Sequence, residues 1–425
     1  MTGQVQRLAL TPPQLRLWRL EKEDGDVLPV FTITRSIDPR EVPSWRTAVE
    51  QFVRRHEALR SRVVVDDAGP WLDVDPPDHA DAHVQELGTE PDLAIPGPAA
   101  QVLVDTSAAE ARITIKLHHV LIDLWSWSLL ARDFDAFVRG SAAAEICQPS
   151  YYARTKMMER YEDNLRVEHE RLSRQFTVEE SNTTRAFAHD GSCFFDGQFA
   201  VVAISDAILD VIQWAKAAVA ATDFVVWHAA IGIALSHHLR ISNIAAHSVV
   251  ANRRSPRALT TVGCLSSVSV FDMSLPLDGR VDSYAAKIRS EMFRVTRMSP
   301  YDDRRMIELL RDATLPDTYP CAFGTNIIYP LAPPVRGFRR HDSDPVELTT
   351  RRSAKELPHS GHFVLTLSTG TDRSGLDAEM VTSSLLPDPN DMLADVISAM
   401  RFMTASPRGR ISDFRPHGSP DSKRR

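Results

Sequence analysis

The stretch Lys116-Leu117-His118-His119-Val120-Leu121-Ile122-Asp123-Leu124-Trp125-Ser126-Trp127 constrains the fold more than any other part of the chain. It continues from Ala111-Arg112-Ile113-Thr114-Ile115-Lys116-Leu117, where apolar and polar residues alternate as on a half-buried strand. Beyond Ser126, Trp127-Ser128-Leu129-Leu130-Ala131-Arg132-Asp133-Phe134 spaces its apolar residues as on a helix. The histidine pair and the aspartate therefore fall on a strand-to-helix turn, a place where a rigid scaffold holds side chains for chemistry.

Consecutive residues on a strand point to opposite faces, so His118 and His119 are not placed to serve one metal ion or one substrate atom. One ring faces a cavity and the other faces packing. The pair fits either two structural histidines or a single general base with a supporting neighbour. An imidazole near its reference pKa of ~6.5 accepts a proton at neutral pH. A buried Asp123 would be paired, holding the turn in shape rather than doing chemistry.

A chain of 425 residues is long enough for two domains of ordinary size, and 43% hydrophobic with 25% charged residues is a globular composition. The formal net charge of −7, with both signs mixed along the chain, gives no nucleic-acid footprint. Cys147, Cys193, Cys264 and Cys321 lie far apart without a C-x-x-C pair, which argues against a zinc site or a disulfide framework and fits reduced cytoplasmic thiols. The N-terminal residues lack the apolar region of a signal peptide. The most apolar helix candidate, 224–235, is interrupted by His228 and too short for a bilayer. The expectation is a cytoplasmic, monomeric, two-lobed protein without metal, nucleic-acid or membrane partners.

Along the chain, Thr11 caps a helix whose first turn holds Pro12 and Pro13. A strand at 30–34 precedes a helix at 39–59 with Trp45, Ala48, Val49, Phe52 and Val53 on one face. Strands follow at 61–65, 71–74 and 100–104. The charged helical pattern 154–176 ends in a polar run at 179–184, which sets the lobe boundary: 1–180 and 181–405. The second lobe reads as a strand at 199–204, helices at 206–219 and 224–239, strands at 244–250, 363–367 and 376–381, and a closing helix at 388–402. The Pro-, Gly-, Ser- and Arg-rich tail 406–425 is expected to be disordered. His56 reads as structural, part of a solvated or salt-bridged helix end, and His237-His238 as helix C-terminal charge.

Read together, these segments resemble the condensation domains of non-ribosomal peptide synthetases, relatives of chloramphenicol acetyltransferase. His118-His119 with Asp123 resembles the His-His-x-x-x-Asp-Gly signature. Gln14, Arg16, Leu17 and Trp18 stand as in the family's first motif, and Arg55-His56-Glu57-Ala58-Leu59-Arg60-Ser61 resembles its Arg-His-Glu-x-Leu-Arg-Thr. Gln148-Pro149-Ser150-Tyr151-Tyr152-Ala153 is weakly similar to a motif around Tyr-Ala. Ala251-Asn252-Arg253 and the block from Gly263 to Phe271 are similar to a segment that crosses between the lobes. The motifs keep family order from about Leu10 to Phe402.

The resemblance implies an α/β fold of two chloramphenicol-acetyltransferase-like lobes in a V-shaped pseudo-dimer around a central tunnel. It makes His119 the catalytic base, with His118 in support and Asp123 paired to Arg253. Leu124, Trp125, Gly263 and Ser267 are its tunnel-lining candidates. It implies no permanently bound cofactor; the donor acyl group rides on the phosphopantetheine arm of a carrier protein acting in trans, or on coenzyme A. The acceptor is an amine or hydroxyl, free or carrier-bound. The chain departs from the pattern at Leu124, where the family has glycine, at Ser267 for asparagine and at Asp272 for arginine. Those departures keep a catalytically silent recruitment module, docking carrier proteins or partner enzymes, as the alternative. An epimerase shares the signature, whereas His118 in place of aspartate argues against the heterocyclising branch.

Overall fold

The computed structural model describes residues 4–22, 28, 30–37, 42–86, 93, 95–105, 111–138, 161–175, 198–240, 242, 244–253, 255–297, 321–327, 363–369, 376–382 and 386–417. The expected lobe boundary and the segment 148–153 lie outside the described residues.

The first half builds two sheets. Strands β1 (Gln6–Ala9), β4 (Gly69–Val74), β3 (Ser61–Asp66) and β6 (Gly97–Pro98) make one. Strands β2 (Val30–Ile37), β8 (Ala111–His118), β7 (Ala100–Asp105) and β5 (Val84–Glu86) make the other. The alternation read between Ala111 and Leu117 is real: Ala111, Ile113, Ile115 and Leu117 are buried while Arg112 is exposed. These residues pack with Val49, Phe52 and Val53 of helix α2 (Val42–Arg55) and with Leu130 and Phe134 of α3 (Leu124–Val138) in the first core. Helix α1 (Pro12–Lys22) starts at Thr11, whose backbone N–H and hydroxyl both donate to Gln14 Oε1 at 3.0 Å, closing the end from the third helical position.

Helix α2 stops at Arg55 rather than running to residue 59. His56 takes extended angles (φ −107°, ψ 113°) and a short 3-10 turn, Glu57–Arg60, follows. Of the two forms expected for this helix end, solvated or salt-bridged, it takes the second. His56 is 0% exposed, its Nε2 lies 2.8 Å from Asp133 Oδ2, and Arg55 Nε donates to the same oxygen at 2.9 Å. Burial lowers the pKa of His56 despite that carboxylate. His56 ties the end of α2, where Phe52 packs on its ring at 4.5 Å, to Asp133 in the body of α3.

The second half forms one sheet in the order β11 (Ser267–Asp272), β10 (Ala245–Val250), β12 (Cys321–Ile327), β13 (Phe363–Thr369), β14 (Leu376–Thr382), β9 (Gln198–Ile204). β12 runs parallel to β10 and β13; the remaining neighbours are antiparallel. Against it pack helices α5 (Asp206–Val219), α6 (Asp223–Leu239), α8 (Val281–Arg297) and α9 (Pro389–Ala405), making a second core, while the short α7 (Pro256–Leu259) lies between α6 and α8 in the chain. α6 is buried along nearly its whole length, with Thr222 Oγ1 accepting from Val225 N–H at its start. His228 within it is held neutral, its pKa pushed to about 4 by burial. Among the described residues no single helix is long and apolar enough to cross a membrane.

Helix α4 (Tyr161–Gln175), assigned to the first half by order, docks on the second. Its Glu168, 1% exposed, accepts from Arg294 of α8, and Arg171 bridges Glu168 to Glu291 of the same helix.

For residues 406–417 the expectation of disorder is corrected, and 418–425 lie outside the described residues. Residues 406–417 return along the second core, where Ile411 and Phe414 are buried. The N–H groups of Val281 and Asp282 donate to the carbonyls of Gly409 and Pro407, and those of Ile411 and Ser412 to Gly279 and Leu277. Apolar burial and main-chain pairing outweigh a polar composition.

Candidate active site

Strand β8 ends at His118, whose backbone N–H donates to Ala99 O at 2.8 Å. A tight turn then carries the chain into α3. Val120, Leu121 and Ile122 are buried in the first core, so the turn is anchored from beneath. The two histidines diverge there, as strand geometry requires.

His119 is half-buried. Its Nδ1 lies 2.8 Å from Ile122 O. A carbonyl only accepts, so Nδ1 carries the hydrogen and Nε2 keeps a free lone pair. Phe31 of β2 meets the ring edge-on at 5.3 Å and 84°. Burial lowers the His119 pKa, opposed by the carbonyl of Ile122 and the charge of Asp123, so the ring is neutral at physiological pH. The ring is thereby held in one tautomer and one orientation.

The neighbouring ring holds the opposite tautomer. His118 Nδ1 accepts from Val120 N–H at 3.2 Å, so Nε2 carries the hydrogen and donates to Glu21 Oε2 at 2.7 Å. For the carboxyl of Glu21, burial works upward, but the contact with His118 outweighs it and its pKa falls below the ordinary value.

Asp123 is 1% exposed. Its Oδ1 accepts from Ser126 N–H at 2.8 Å, capping α3, and from Arg253 Nη2 at 2.8 Å. Its Oδ2 accepts at 3.0 Å from the backbone N–H groups of Leu265 and Ser266 and from Ser266 Oγ. Burial by itself raises a carboxyl pKa; Arg253 and these donors reverse it, so Asp123 stays ionised. Arg253 also donates to the carbonyls of Ala258 and Thr261 at 2.7 and 2.6 Å, and its guanidinium lies 5.6 Å over the Trp125 ring. Ser126 Oγ donates to Gly263 O at 2.6 Å and accepts from Gly263 N–H at 2.9 Å. The segment 253–266 is thereby clasped onto the turn, with Val262 inside the first core. Among the described residues no group of three or more His, Cys, Asp or Glu side chains is placed to hold a metal ion.

No family model matches the chain. A probable nonribosomal peptide synthetase of Salinispora arenicola is 31% identical over 139 residues, which is 30% of this chain and 2% of that protein. Solved structures cover far more. The first condensation domain of the CDA synthetase superposes with a TM-score of 0.61 at 16% identity, over 97% of this chain and 99% of that one. The condensation domain of the Monacolin K polyketide synthase MokA gives 0.65 at 13% identity, over 96% and 100%. The chain has the condensation-domain fold. The curated synthetase is matched along only a small fraction of its length, whereas these condensation domains are matched end to end.

Within the condensation-domain fold, His118, His119, Asp123 and Arg253 meet at one turn, the last from a segment 130 residues away. Leu124 and Trp125 are half-buried at the start of α3, Leu124 with ordinary helical backbone. Gly263 and Ser267 are both buried, Gly263 against Ser126 and Ser267 accepting from Asn252 Nδ2 at 2.9 Å, contacts that strengthen the clasp. Asp272 likewise lies at the second core, its Oδ2 3.1 Å from Lys287 Nζ. Sequence reasoning missed Glu21, Ser126 and Ser266. An Asp-x-x-Ser run opening a helix was a legible cap signal for Ser126. Nothing local announces Glu21, which lies 97 residues from its partner.

Proposed function

We propose that the chain is a condensation-type acyltransferase of natural-product biosynthesis. It joins a thioester-bound acyl or aminoacyl donor, carried on a carrier protein's phosphopantetheine arm or on coenzyme A, to an amine or hydroxyl acceptor. The fold supports the class. One structural neighbour, the starter condensation domain of rhizomide synthetase, was solved in a mutant form with C8-CoA and Leu-SNAC; it superposes with a TM-score of 0.60 at 15% identity.

The observation that carries the reading is the fixed tautomer of His119. Its Nδ1–H is held by Ile122 O, which leaves Nε2 to receive a proton. As the acceptor nitrogen or oxygen attacks the thioester carbonyl, its proton passes to Nε2. The C–N or C–O bond forms, the C–S bond breaks, and the same proton leaves with the thiol. General-base assistance of this kind contributes roughly 10²–10⁴-fold, and holding donor and acceptor together supplies more. Asp123 and Arg253 hold the turn and touch neither reactant.

The alternative is a silent recruitment module, favoured by Leu124 in the family's glycine position. Mass spectrometry of a carrier-loaded donor mixed with candidate amines and alcohols separates the two. New amide or ester from the wild type, absent with His119→Ala, is the expected result. Full turnover by His119→Ala would remove the base, and carrier binding without product would point to recruitment.

A further inference from the structure

Residues beyond the signature decide how well a base is held. Two adjacent histidines here are locked in opposite tautomers, and each lock depends on the same short turn. His118 Nε2–H donates to Glu21 Oε2 at 2.7 Å, which obliges Nδ1 to accept from Val120 N–H at 3.2 Å. Two residues further on, Ile122 O accepts from His119 Nδ1–H at 2.8 Å. If the His118 ring lost its acceptor and moved its hydrogen to Nδ1, Val120 N–H would face another donor. The turn would have to shift, and with it the carbonyl that orients His119.

We infer that Glu21 is a positioning residue for His119, acting through the tautomer of His118. Glu21 sits in the last turn of α1. That helix also packs Leu17 against Leu28 and Cys264. Cys264 directly precedes Leu265 and Ser266, whose N–H groups hold Asp123. α1 therefore bears on both sides of the turn: through Glu21 on the histidines and through Leu17 on the clasp. The charged and titratable groups facing the pair are Lys22, whose Nζ is 3.5 Å from Glu21 Oε1, then His119 itself, and Asp123 with Arg253.

The test uses the full chain with ¹⁵N-labelled histidine and reads ring tautomers by two-bond ¹⁵N–¹H correlation, alongside turnover. In the wild type, His118 gives the Nε2–H pattern and His119 the Nδ1–H pattern. Glu21→Ala is expected to move His119 to mixed tautomers and lower kcat at least about 10-fold with little change in KM. Glu21→Gln, whose carboxamide oxygen still accepts, keeps both patterns and most of the turnover. Glu21→Leu, similar in volume, takes the place of the alanine variant if that one does not fold. An unchanged His119 pattern in Glu21→Ala overturns the inference, as does equal loss of turnover and melting temperature in Glu21→Ala and Glu21→Gln. The kinetic arm rests on the acyl-transfer reading and the spectroscopic arm does not. A wild type without product whose His119 tautomer still responds to Glu21 would sink the former and leave the latter standing.

Discussion

His119 combines a tautomer fixed by the carbonyl of Ile122, three residues on, with a pKa lowered by burial. Burial disfavours the cation, so the neutral ring persists to lower pH than a free histidine allows. If Nε2 is the base, kcat/KM should rise along a limb whose midpoint lies below the ordinary ~6.5 and stay level above it. A rate profile against pH with a midpoint above that value would contradict the assignment. The same shift has a stability sign. Between the folded pKa and ~6.5 the unfolded chain binds the extra proton, so stability falls as pH drops through that window. His56 and His228, buried and neutral, push in the same direction.

The turn between β8 and α3 is an element with a buried ion pair at its centre. Such pairs add little relative to an apolar replacement, yet breaking one strands a charge. Asp123→Ala leaves the Arg253 guanidinium, whose side chain is 1% exposed, without its carboxylate. The expected cost is about 3–5 kcal/mol in urea unfolding. Adding Arg253→Met should recover part of it, giving a coupling energy in the double-mutant cycle. Strictly additive losses would show that the pair is not the clasp's centre. The pair itself was legible, because a carboxylate in a packed turn demands a cation and Arg253 stands in a motif resembling the family's. The bridge from Ser126 to Gly263 was not, since it joins residues 137 apart and only the folded turn brings them together.

For the whole molecule, sequence periodicity located what it physically encodes. Period-two alternation found β8, and the apolar stripe found α5 with its Asp206–Val219 bounds unchanged. It gave nothing on which half a helix joins. α4 stands early in the chain yet is held by α8 through Glu168, Arg171, Glu291 and Arg294, and ion pairs between distant helices leave no periodic trace. Composition misled at the tail for a related reason. A Pro- and Arg-rich stretch looks unable to repay its ordering entropy, but Ile411 and Phe414 find a core already built by other elements. Each buried side chain of this size is worth about 1.5–3 kcal/mol, so a chain ending at Ser406 should lose roughly 3–6 kcal/mol. It also leaves the N–H groups of Val281 and Asp282 without the carbonyls of Gly409 and Pro407. Phe414→Ala in the full chain isolates the packing share, expected at about 3–5 kcal/mol. Urea unfolding of the two variants measures both quantities. Were the shortened chain to unfold at the midpoint of the full-length protein, the tail would be a passenger on the second core. A larger loss on truncation than in Phe414→Ala would make it part of that core, tied to the start of α8 and to α9 through His417 N–H on Asp395.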